Sequence, residues 1–187
     1  MNILLVDNGT TLLSELETLI PGNEIVRVWD DLADIKSEDF NLIILSGGSK
    51  FEIEGHEDKL ENELELIKNT TKPLIGICYG CELITKAFGG TLEKSPNQHK
   101  GIIDIKILEE DSIFDNLEPL RVYENHSWLI KELPPDFIAL AKSDHGYEII
   151  KHRSKPIYGF QFHPEQFVDK TIGDEMFLRL TLKLKCS

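Results

Sequence analysis

The strongest chemical signal in the sequence is a cysteine between two glycines, in the run Gly76-Ile77-Cys78-Tyr79-Gly80. The run lies where an apolar strand meets a predicted helix, and it has the G-x-nucleophile-x-G form of a nucleophile elbow. The turn strains the nucleophile and leaves no room for flanking side chains, so glycines are needed there. We expect the helix N-terminus to lower the pKa of the Cys78 thiol and the Tyr79 amide to face a developing oxyanion. The alternative is a buried structural cysteine between incidental glycines.

A histidine that could serve this nucleophile occurs in Phe160-Gln161-Phe162-His163-Pro164-Glu165. An imidazole can take the thiol proton and later protonate a leaving amine. Residues i and i+2 face the same side of an extended backbone, so Glu165 can reach His163 and fix its tautomer. Cys78, His163 and Glu165 are therefore a candidate triad of nucleophile, base and orienting carboxylate.

Two further patterns have weaker chemical meaning. The run Ser46-Gly47-Gly48-Ser49 follows a predicted central strand, where α/β sheets place ligands, and the Gly48 amide could complete an oxyanion hole with Tyr79. A plain β-turn is the alternative. Cys78 and Cys81 form a C-x-x-C pair, but a zinc site would need a second pair of ligands and a redox pair normally follows an earlier strand. We expect no metal site, because the six histidines lack paired ligand spacing, and we expect His99 and His145 at the surface.

The first half of the chain alternates strands with helices. Continuous apolar runs predict strands buried on both faces of a parallel sheet at 3–6, 42–45 and 73–77. A partly alternating run predicts a strand nearer an edge of the sheet at 24–29. Apolar residues at helical spacing predict three helices. The first covers 12–20 with Thr10 or Thr11 as N-cap, and the second covers 60–67, with the acidic run 52–65 as a solvated helix face. The third begins just after Cys78 and is stopped by Gly89-Gly90.

The second half changes character, because its apolar residues alternate strictly in 103–107 and then recur in short runs. These predict strands near 103–107, 121–123, 137–141, 147–150 and 156–162, and a closing helix with Phe177, Leu180 and Leu184. The whole pattern predicts one α/β domain over 1–187: a doubly wound, mostly parallel sheet with flanking helices and a smaller antiparallel section in the second half.

Composition narrows the classes of protein. The 187 residues carry Lys+Arg 20 against Asp+Glu 33, a formal net charge of -13, which argues against nucleic-acid and anionic-membrane binding. At 41% hydrophobic residues the chain can bury a sizeable core. An odd cysteine count, with no visible signal peptide or membrane-spanning run, favours a cytoplasmic protein in a reducing compartment.

The three motifs together resemble the class I, triad-type glutamine amidotransferase family. The matches are Ser46-Gly47-Gly48, Gly76-Ile77-Cys78-Tyr79-Gly80 and Gln161-Phe162-His163-Pro164-Glu165, in the family's order and spacing. The resemblance implies a flavodoxin-like fold and hydrolysis of the glutamine side-chain amide through a γ-glutamyl thioester on Cys78. It further implies His163 as base and then acid, Glu165 as its orienting group, and the Gly48 and Tyr79 amides as the oxyanion hole.

The resemblance also implies a substrate-holding loop at Asn125-His126-Ser127-Trp128, where the backbone of Ser127 and Trp128 would hold the α-carboxylate of glutamine. His126 would serve either an interface with a synthase partner or no function, as an exposed loop histidine. Glu82 occupies a substrate-contacting position where the family usually has Gln. A carboxylate there could accept from an α-ammonium group but could not donate, and glutamate at this position occurs in the γ-glutamyl hydrolases.

Three readings of the function stay open. Lys155-Pro156-Ile157-Tyr158-Gly159 looks most like the glutaminase subunit of GMP synthetase, and the small subunits of anthranilate and aminodeoxychorismate synthase look similar. In this reading ammonia goes to a synthase on another polypeptide, which would hold any ATP or magnesium, so no cofactor is expected on this chain. The second reading is a γ-glutamyl hydrolase that needs no partner. The third is a regulatory domain with weak catalysis.

Overall fold

The described part of the chain comprises residues 1–48 and 50–185 of a computed structural model. Ser49 and Cys186, which entered the motif and cysteine arguments, lie outside the described residues. The strands are β1 (Asn2–Asn8), β2 (Asn23–Val28), β3 (Leu42–Gly48), β4 (Leu74–Ile77), β5 (Thr91–Asp104), β6 (Lys106–Ile107), β7 (Arg121–Glu132), β8 (Phe137–Lys142), β9 (Tyr147–His152) and β10 (Ile157–Phe160). The helices are α1 (Leu13–Leu19), α2 (Glu61–Asn69), α3 (Tyr79–Ala87) and α4 (Gly173–Lys185), with 3-10 turns at Ser37–Asp39 and Ser112–Phe114.

Eight of these strands form one mixed sheet in the order β2-β1-β3-β4-β10-β9-β8-β6. The five strands from β2 to β10 run parallel, and β9, β8 and β6 add antiparallel pairs at the other end. The predicted mostly parallel sheet with an antiparallel section is therefore confirmed, as is the edge position of the second strand. The sequence alternates strand and helix in its first half, and parallel neighbours require such crossovers.

Helices cover both faces of the sheet, as expected for a doubly wound fold. Alternate side chains of the central strands point to opposite faces, so Ile44 and Leu45 enter different cores. Leu16 of α1 and Phe177 of α4 pack in one core, and Ile84 of α3 packs in the other, together with α2. The predicted closing helix is confirmed as α4.

A separate two-stranded ribbon, β5 with β7, lies beside this sheet and was only partly predicted. The run 103–107 reads as one strand, but Ile105 breaks it: residues up to Asp104 pair with β7, and β6 pairs with β8. Ile105 is buried and its N–H donates to the Leu120 carbonyl at 2.9 Å. The chain thus leaves the ribbon and enters the main sheet within a single apolar run.

Two local predictions from the first half are wrong. Helix α1 begins at Leu13 with Leu12 as N-cap residue, and no side chain caps it; the Thr10 hydroxyl accepts from the Leu12 N–H instead. The acidic run 52–65 is not one solvated helix face, because α2 starts only at Glu61 and Glu63 is fully buried. Glu63 accepts a hydrogen bond from Nδ2 of Asn8 at 3.1 Å, which ties α2 to the end of β1.

In residues 1–48 and 50–185, the helices are too short or too polar for any of them to cross a lipid bilayer.

Candidate active site

The predicted nucleophile elbow is present between β4 and α3. Cys78 has φ +47° and ψ −103°, a strained conformation for a residue with a side chain, and its N–H donates to the Phe160 carbonyl at 2.7 Å. A Cβ on Gly76 would lie 2.4 Å from the Gly80 carbonyl oxygen, and one on Gly80 would lie 2.6 Å from that of Leu45. Both glycines are therefore required for α3 to approach the sheet closely enough to hold the cysteine in this turn.

The imidazole of His163 is held beside the nucleophile by the segment that follows β10. The backbone N–H of His163 donates to the Tyr123 carbonyl at 2.8 Å, and its Nδ1 lies 2.8 Å from Oε1 of Glu165. The side chains of both residues are at least nine-tenths buried. Since Nδ1 is engaged by Glu165, the other ring nitrogen, Nε2, is left to face Cys78. The predicted His163–Glu165 pair is therefore confirmed as a contact.

Gly47 also leaves room for the imidazole ring of His163. A Cβ on Gly47 would lie 3.1 Å from Cε1 of His163 and 3.8 Å from Cβ of Cys78. The glycine pair after the third strand, weak as a sequence signal, thus lies directly against the cysteine and the histidine.

The pKa of Cys78 and that of His163 are both shifted by burial and by each other. Burial raises the pKa of the Cys78 thiol, and the nearby imidazole of His163 offsets only part of that effect. The net pKa of the thiol is therefore raised, whereas the sequence predicts a lowered one, because desolvation of the thiolate dominates. Burial lowers the pKa of His163, but Cys78 and Glu165 more than compensate and hold that pKa well above its usual value. Burial thus opposes ionisation of the Cys78 thiol, while the imidazole of His163 beside it favours transfer of the proton.

Cys78 opens into a cavity of about 310 Å³, the size range of small-molecule sites. All the residues predicted to bind substrate or the oxyanion line it: Gly48, Tyr79, Glu82, Ser127 and Trp128. Tyr79 is the first residue of α3, where backbone N–H groups have no carbonyl partner within the helix. Gly48 is the last residue of β3 and lines the same cavity as Cys78. The fold thus brings two candidate oxyanion donors to the nucleophile.

Glu82 lies in the cavity wall one helical turn after Cys78. Its Oε1 accepts a hydrogen bond from Nε2 of Gln161 at 3.1 Å. Burial raises the pKa of Glu82 to about 7, against the opposing effects of Gln161, His126 and His163. The carboxyl is therefore divided between its neutral and charged forms near neutral pH.

The predicted substrate-holding loop is a strand. Residues 125–128 lie within β7, where Asn125 pairs with Lys100 and His126 with His99. The side chain of His126 is only 2% exposed, so the reading of an exposed loop histidine is wrong. Its Nδ1 lies 2.9 Å from the carbonyl oxygen of Trp128, and this contact fixes the backbone that faces the cavity.

A second, smaller recess of about 100 Å³ also reaches the nucleophile. It shares Gly48, Cys78 and Asn125 with the larger cavity and is otherwise lined by His163 and the residues that follow β1, 9–12. At about 30 Å³ of liquid volume per water, it has room for roughly three molecules. A small molecule such as water or ammonia could therefore approach His163 without passing through the larger cavity.

Cys81, the second member of the C-x-x-C pair, is fully buried. A Cβ on Gly159 would lie 2.5 Å from its sulfur, so Cys81 packs directly against β10. Cys78 and Cys81 are both free thiols. The role of Cys81 here is packing between α3 and the sheet.

Sequence reasoning missed a cluster of histidines and glutamates beside the cavity. His99, Glu124 and His145 come from β5, β7 and the turn between β8 and β9, and one donor atom of each lies within 4.8 Å of the others. His126 and Glu148 adjoin Glu124 on its buried side. No spacing in the sequence predicts this grouping, because it depends on the pairing of β5 with β7 and on the packing of that ribbon against the β8–β9 turn.

Comparisons with known proteins agree with this geometry. The family model for glutamine amidotransferase class-I matches residues 4–182. The glutamine-hydrolysing subunit of GMP synthase from Pyrococcus abyssi is 39% identical over 97% of both chains, and that from Pyrococcus furiosus is 37% identical over 87% of this chain and 88% of the relative.

Solved structures show the same architecture. A Thermoplasma acidophilum protein, described as the corresponding GMP synthase subunit, superimposes with a TM-score of 0.84 at 27% identity, covering 100% of this chain and 94% of that one. A glutamine amidotransferase of Thermotoga maritima superimposes with a TM-score of 0.82 over 100% and 99% of the two chains, and at 14% identity it supports the fold alone.

Proposed function

The chain belongs to the glutamine amidotransferase class-I family, and we propose that it is a glutaminase subunit that supplies ammonia to a separate synthase subunit, that of GMP synthase. The observation that carries the proposal is the placement of Cys78, in its strained turn and lining the larger cavity, beside the His163–Glu165 pair. Acyl transfer from an amide to a thiol needs these groups in this relation.

In the proposed reaction, Nε2 of His163 takes the thiol proton as the Cys78 sulfur attacks the side-chain carbonyl carbon of glutamine. Burial raises the pKa of the thiol, so the attack depends on the imidazole of His163 to accept the proton. Glu165 holds Nδ1 and stabilises the imidazolium that results.

The tetrahedral intermediate then places negative charge on the former carbonyl oxygen. We assign its stabilisation to the backbone N–H groups of Gly48 and Tyr79, which line the same cavity as Cys78. The imidazolium of His163 protonates the leaving nitrogen, ammonia departs, and a γ-glutamyl thioester remains on Cys78. Water deprotonated by His163 hydrolyses this thioester and releases glutamate; the smaller recess offers such a water a route.

Recognition of the amino-acid end of glutamine falls to other residues that line the same cavity. The charged form of Glu82 would accept from the α-ammonium group, while Gln161 holds one of its oxygens in place. The backbone of Ser127 and Trp128, fixed in β7, would bind the α-carboxylate. Lys94, at the rim, lies 5.8 Å from the Trp128 ring centroid and pairs with Glu52, so exposed charges frame the entrance.

The pathway assignment is supported by the relatives, which are named as glutamine-hydrolysing subunits of GMP synthase. Any ATP or magnesium would belong to the partner, and this chain would need no cofactor for amide hydrolysis. We place the reaction in the cytoplasm, where reducing conditions keep Cys78 a free thiol.

The test measures ammonia and glutamate released from glutamine by the purified chain, first alone and then with the synthetase subunit of a GMP synthase plus its nucleotide substrates. We expect a low rate alone, a higher rate in the complex, and GMP formed with glutamine as nitrogen donor. Cys78→Ala should abolish release in both states, whereas Cys81→Ala, which removes a buried thiol of the same helix, should retain it. Turnover by Cys78→Ala would overturn the proposal.

A second function, hydrolysis of γ-glutamyl compounds without a partner, is favoured by the carboxylate of Glu82 in the cavity wall. The same assay separates it from the first. Release of amines from γ-glutamyl peptides, faster than release of ammonia from glutamine and insensitive to the synthase subunit, would replace the glutaminase assignment. The anthranilate and aminodeoxychorismate alternatives differ only in which synthase subunit stimulates the chain.

A further inference from the structure

Three side chains of types that bind metals meet between the ribbon and the β8–β9 turn, and none of them belongs to the proposed triad. Nδ1 of His145 lies 2.7 Å from Oε1 of Glu124, and the ring centroids of His145 and His99 are 4.3 Å apart. Their donor atoms lie within 4.8 Å of one another. Zinc ligands at bonds of about 2.05 Å and tetrahedral angles are about 3.3 Å apart, so small side-chain shifts suffice to surround an ion.

The buried side of this group contains polar atoms that lack hydrogen bonds. Glu124 has a side chain only 1% exposed, and its Oε2 has no hydrogen-bond partner among the described residues. Nε2 of His126, 3.5 Å from that oxygen, also lacks one, as does Oε2 of Glu148. The far oxygen of Glu124 thus has an ionic contact with His126 but no hydrogen bond, and a cation bound to the carboxylate would compensate this deficit.

We propose that His99, Glu124 and His145 bind one divalent transition-metal ion, Zn²⁺ by the chemistry of the donors. Two imidazoles and a carboxylate with an open fourth position suit zinc, whereas Mg²⁺ and Ca²⁺ prefer oxygen ligands alone. His145 has a side chain 38% exposed, so an ion enters from solvent on that side and a water completes its coordination. His126, contacting the far oxygen of Glu124, is the outer partner that orients the carboxylate.

The position of this site gives it a mechanical consequence. His99 belongs to β5, Glu124 to β7 and His145 to the β8–β9 turn, so a shared ion ties the ribbon to the antiparallel end of the main sheet. Glu124 immediately precedes Asn125 and His126, which line the large cavity. The ion would therefore stabilise the cavity wall. These three residues lie outside the proposed catalytic set, so the ion would bind whether or not the chain is a glutaminase.

The experiment is a titration of the untagged, EDTA-stripped chain with Zn²⁺, read by competition with a chromogenic chelator and by thermal unfolding. The variants are His99→Gln and His145→Gln. The control is His56→Gln, which removes a half-buried histidine whose contact is with the Glu52 carbonyl, outside this cluster. A Cys78→Ala chain is titrated in parallel to exclude the active-site thiol as a ligand.

We expect one Zn²⁺ per chain and a higher melting temperature with zinc, by linkage of binding to folding. Each of the two cluster variants should weaken the affinity by at least about tenfold, while His56→Gln and Cys78→Ala leave it unchanged. Co²⁺ bound to the unmodified chain should give a tetrahedral spectrum without thiolate charge-transfer bands, a readout that does not depend on the variants folding. Absence of stoichiometric binding, equal affinity in the cluster variants, or thiolate bands would overturn the proposal.

Discussion

The carboxyl of Glu82 accepts a hydrogen bond from Nε2 of Gln161 at 3.1 Å, in the wall of the cavity that contains Cys78. The two residues come from different motifs, one in the helix after the elbow and one just before His163. Their contact joins the nucleophile helix to the segment that supplies the base. It also places a carboxyl with a pKa of about 7 at the position where the family resemblance implies contact with the substrate's ammonium group.

This contact predicts a pH-dependent KM for glutamine. The protonated form of Glu82 attracts an ammonium group weakly, so KM should fall as pH rises through about 7. Glu82→Gln should remove this dependence. Gln161→Leu should move it to higher pH, because the Gln161 hydrogen bond lowers the pKa of Glu82. Steady-state kinetics from about pH 5.5 to about pH 8.5 measures these changes, because this span brackets the pKa of Glu82 at about 7. A Glu82→Gln profile that matches the unmodified chain would contradict the assignment.

Loss of the Glu165 carboxylate should slow proton transfer by His163. In Glu165→Gln, His163 loses the group that orients it and holds its pKa up, so kcat should fall by about 10²- to 10⁴-fold. The acidic limb of the kcat/KM profile should also move to lower pH, which a merely structural defect would not cause. Glu165→Asp should recover part of the rate. A kcat within about threefold of the unmodified chain would show that His163 works without this partner.

Buried Glu63 should make the protein less stable as pH rises. Burial raises the pKa of Glu63 to about 8 in the folded chain from the ordinary 4.5, with the Asn8 hydrogen bond opposing. Between these values the folded state binds the extra proton, so unfolding releases it and stability falls by up to about 1.4 kcal/mol per pH unit. Glu63→Gln should flatten this fall, seen as a higher melting temperature than the unmodified chain at pH 8.

The matched control for that measurement is Glu61→Gln, an exposed residue in the first turn of the same helix. It makes the same change in formal charge without touching Asn8. Equal pH dependence in the Glu61 and Glu63 variants would refute the linkage to burial.

The elbow glycines should be intolerant of a methyl group. A Cβ on Gly80 would lie 2.6 Å from the Leu45 carbonyl oxygen, and backbone on both sides leaves little scope for relaxation. We expect Gly80→Ala to cost more than about 3 kcal/mol and to lower the melting temperature by roughly 6–12 °C.

Gly55→Ala is the comparison for that experiment, because its Cβ would meet nothing within 4 Å and only its φ of +80° opposes the change. It should cost about 1 kcal/mol. Thermal unfolding of both variants gives the difference, and a Gly80→Ala protein as stable as Gly55→Ala would contradict the close packing of α3 on the sheet.

The sequence by itself determined the local features whose physical causes are local. Continuous apolar runs predicted the parallel strands, and the glycines around Cys78 predicted a strained turn that their close contacts confirm. The spacing of His163 and Glu165 predicted a contact that is present. Such features depend on side-chain period and on backbone sterics within a few residues, so they can be read in order along the chain.

Only the tertiary structure decided the features that depend on burial and on pairing between distant strands. Burial of Cys78 raises its thiol pKa despite the helix N-terminus, and burial of Glu63 reverses the expectation of a solvated acidic face. Pairing of β5 with β7 turned a predicted loop into a strand and brought His99 near Glu124. Desolvation and strand pairing depend on residues far away in sequence, and neither produces a recognisable pattern in the sequence of the residues that it affects.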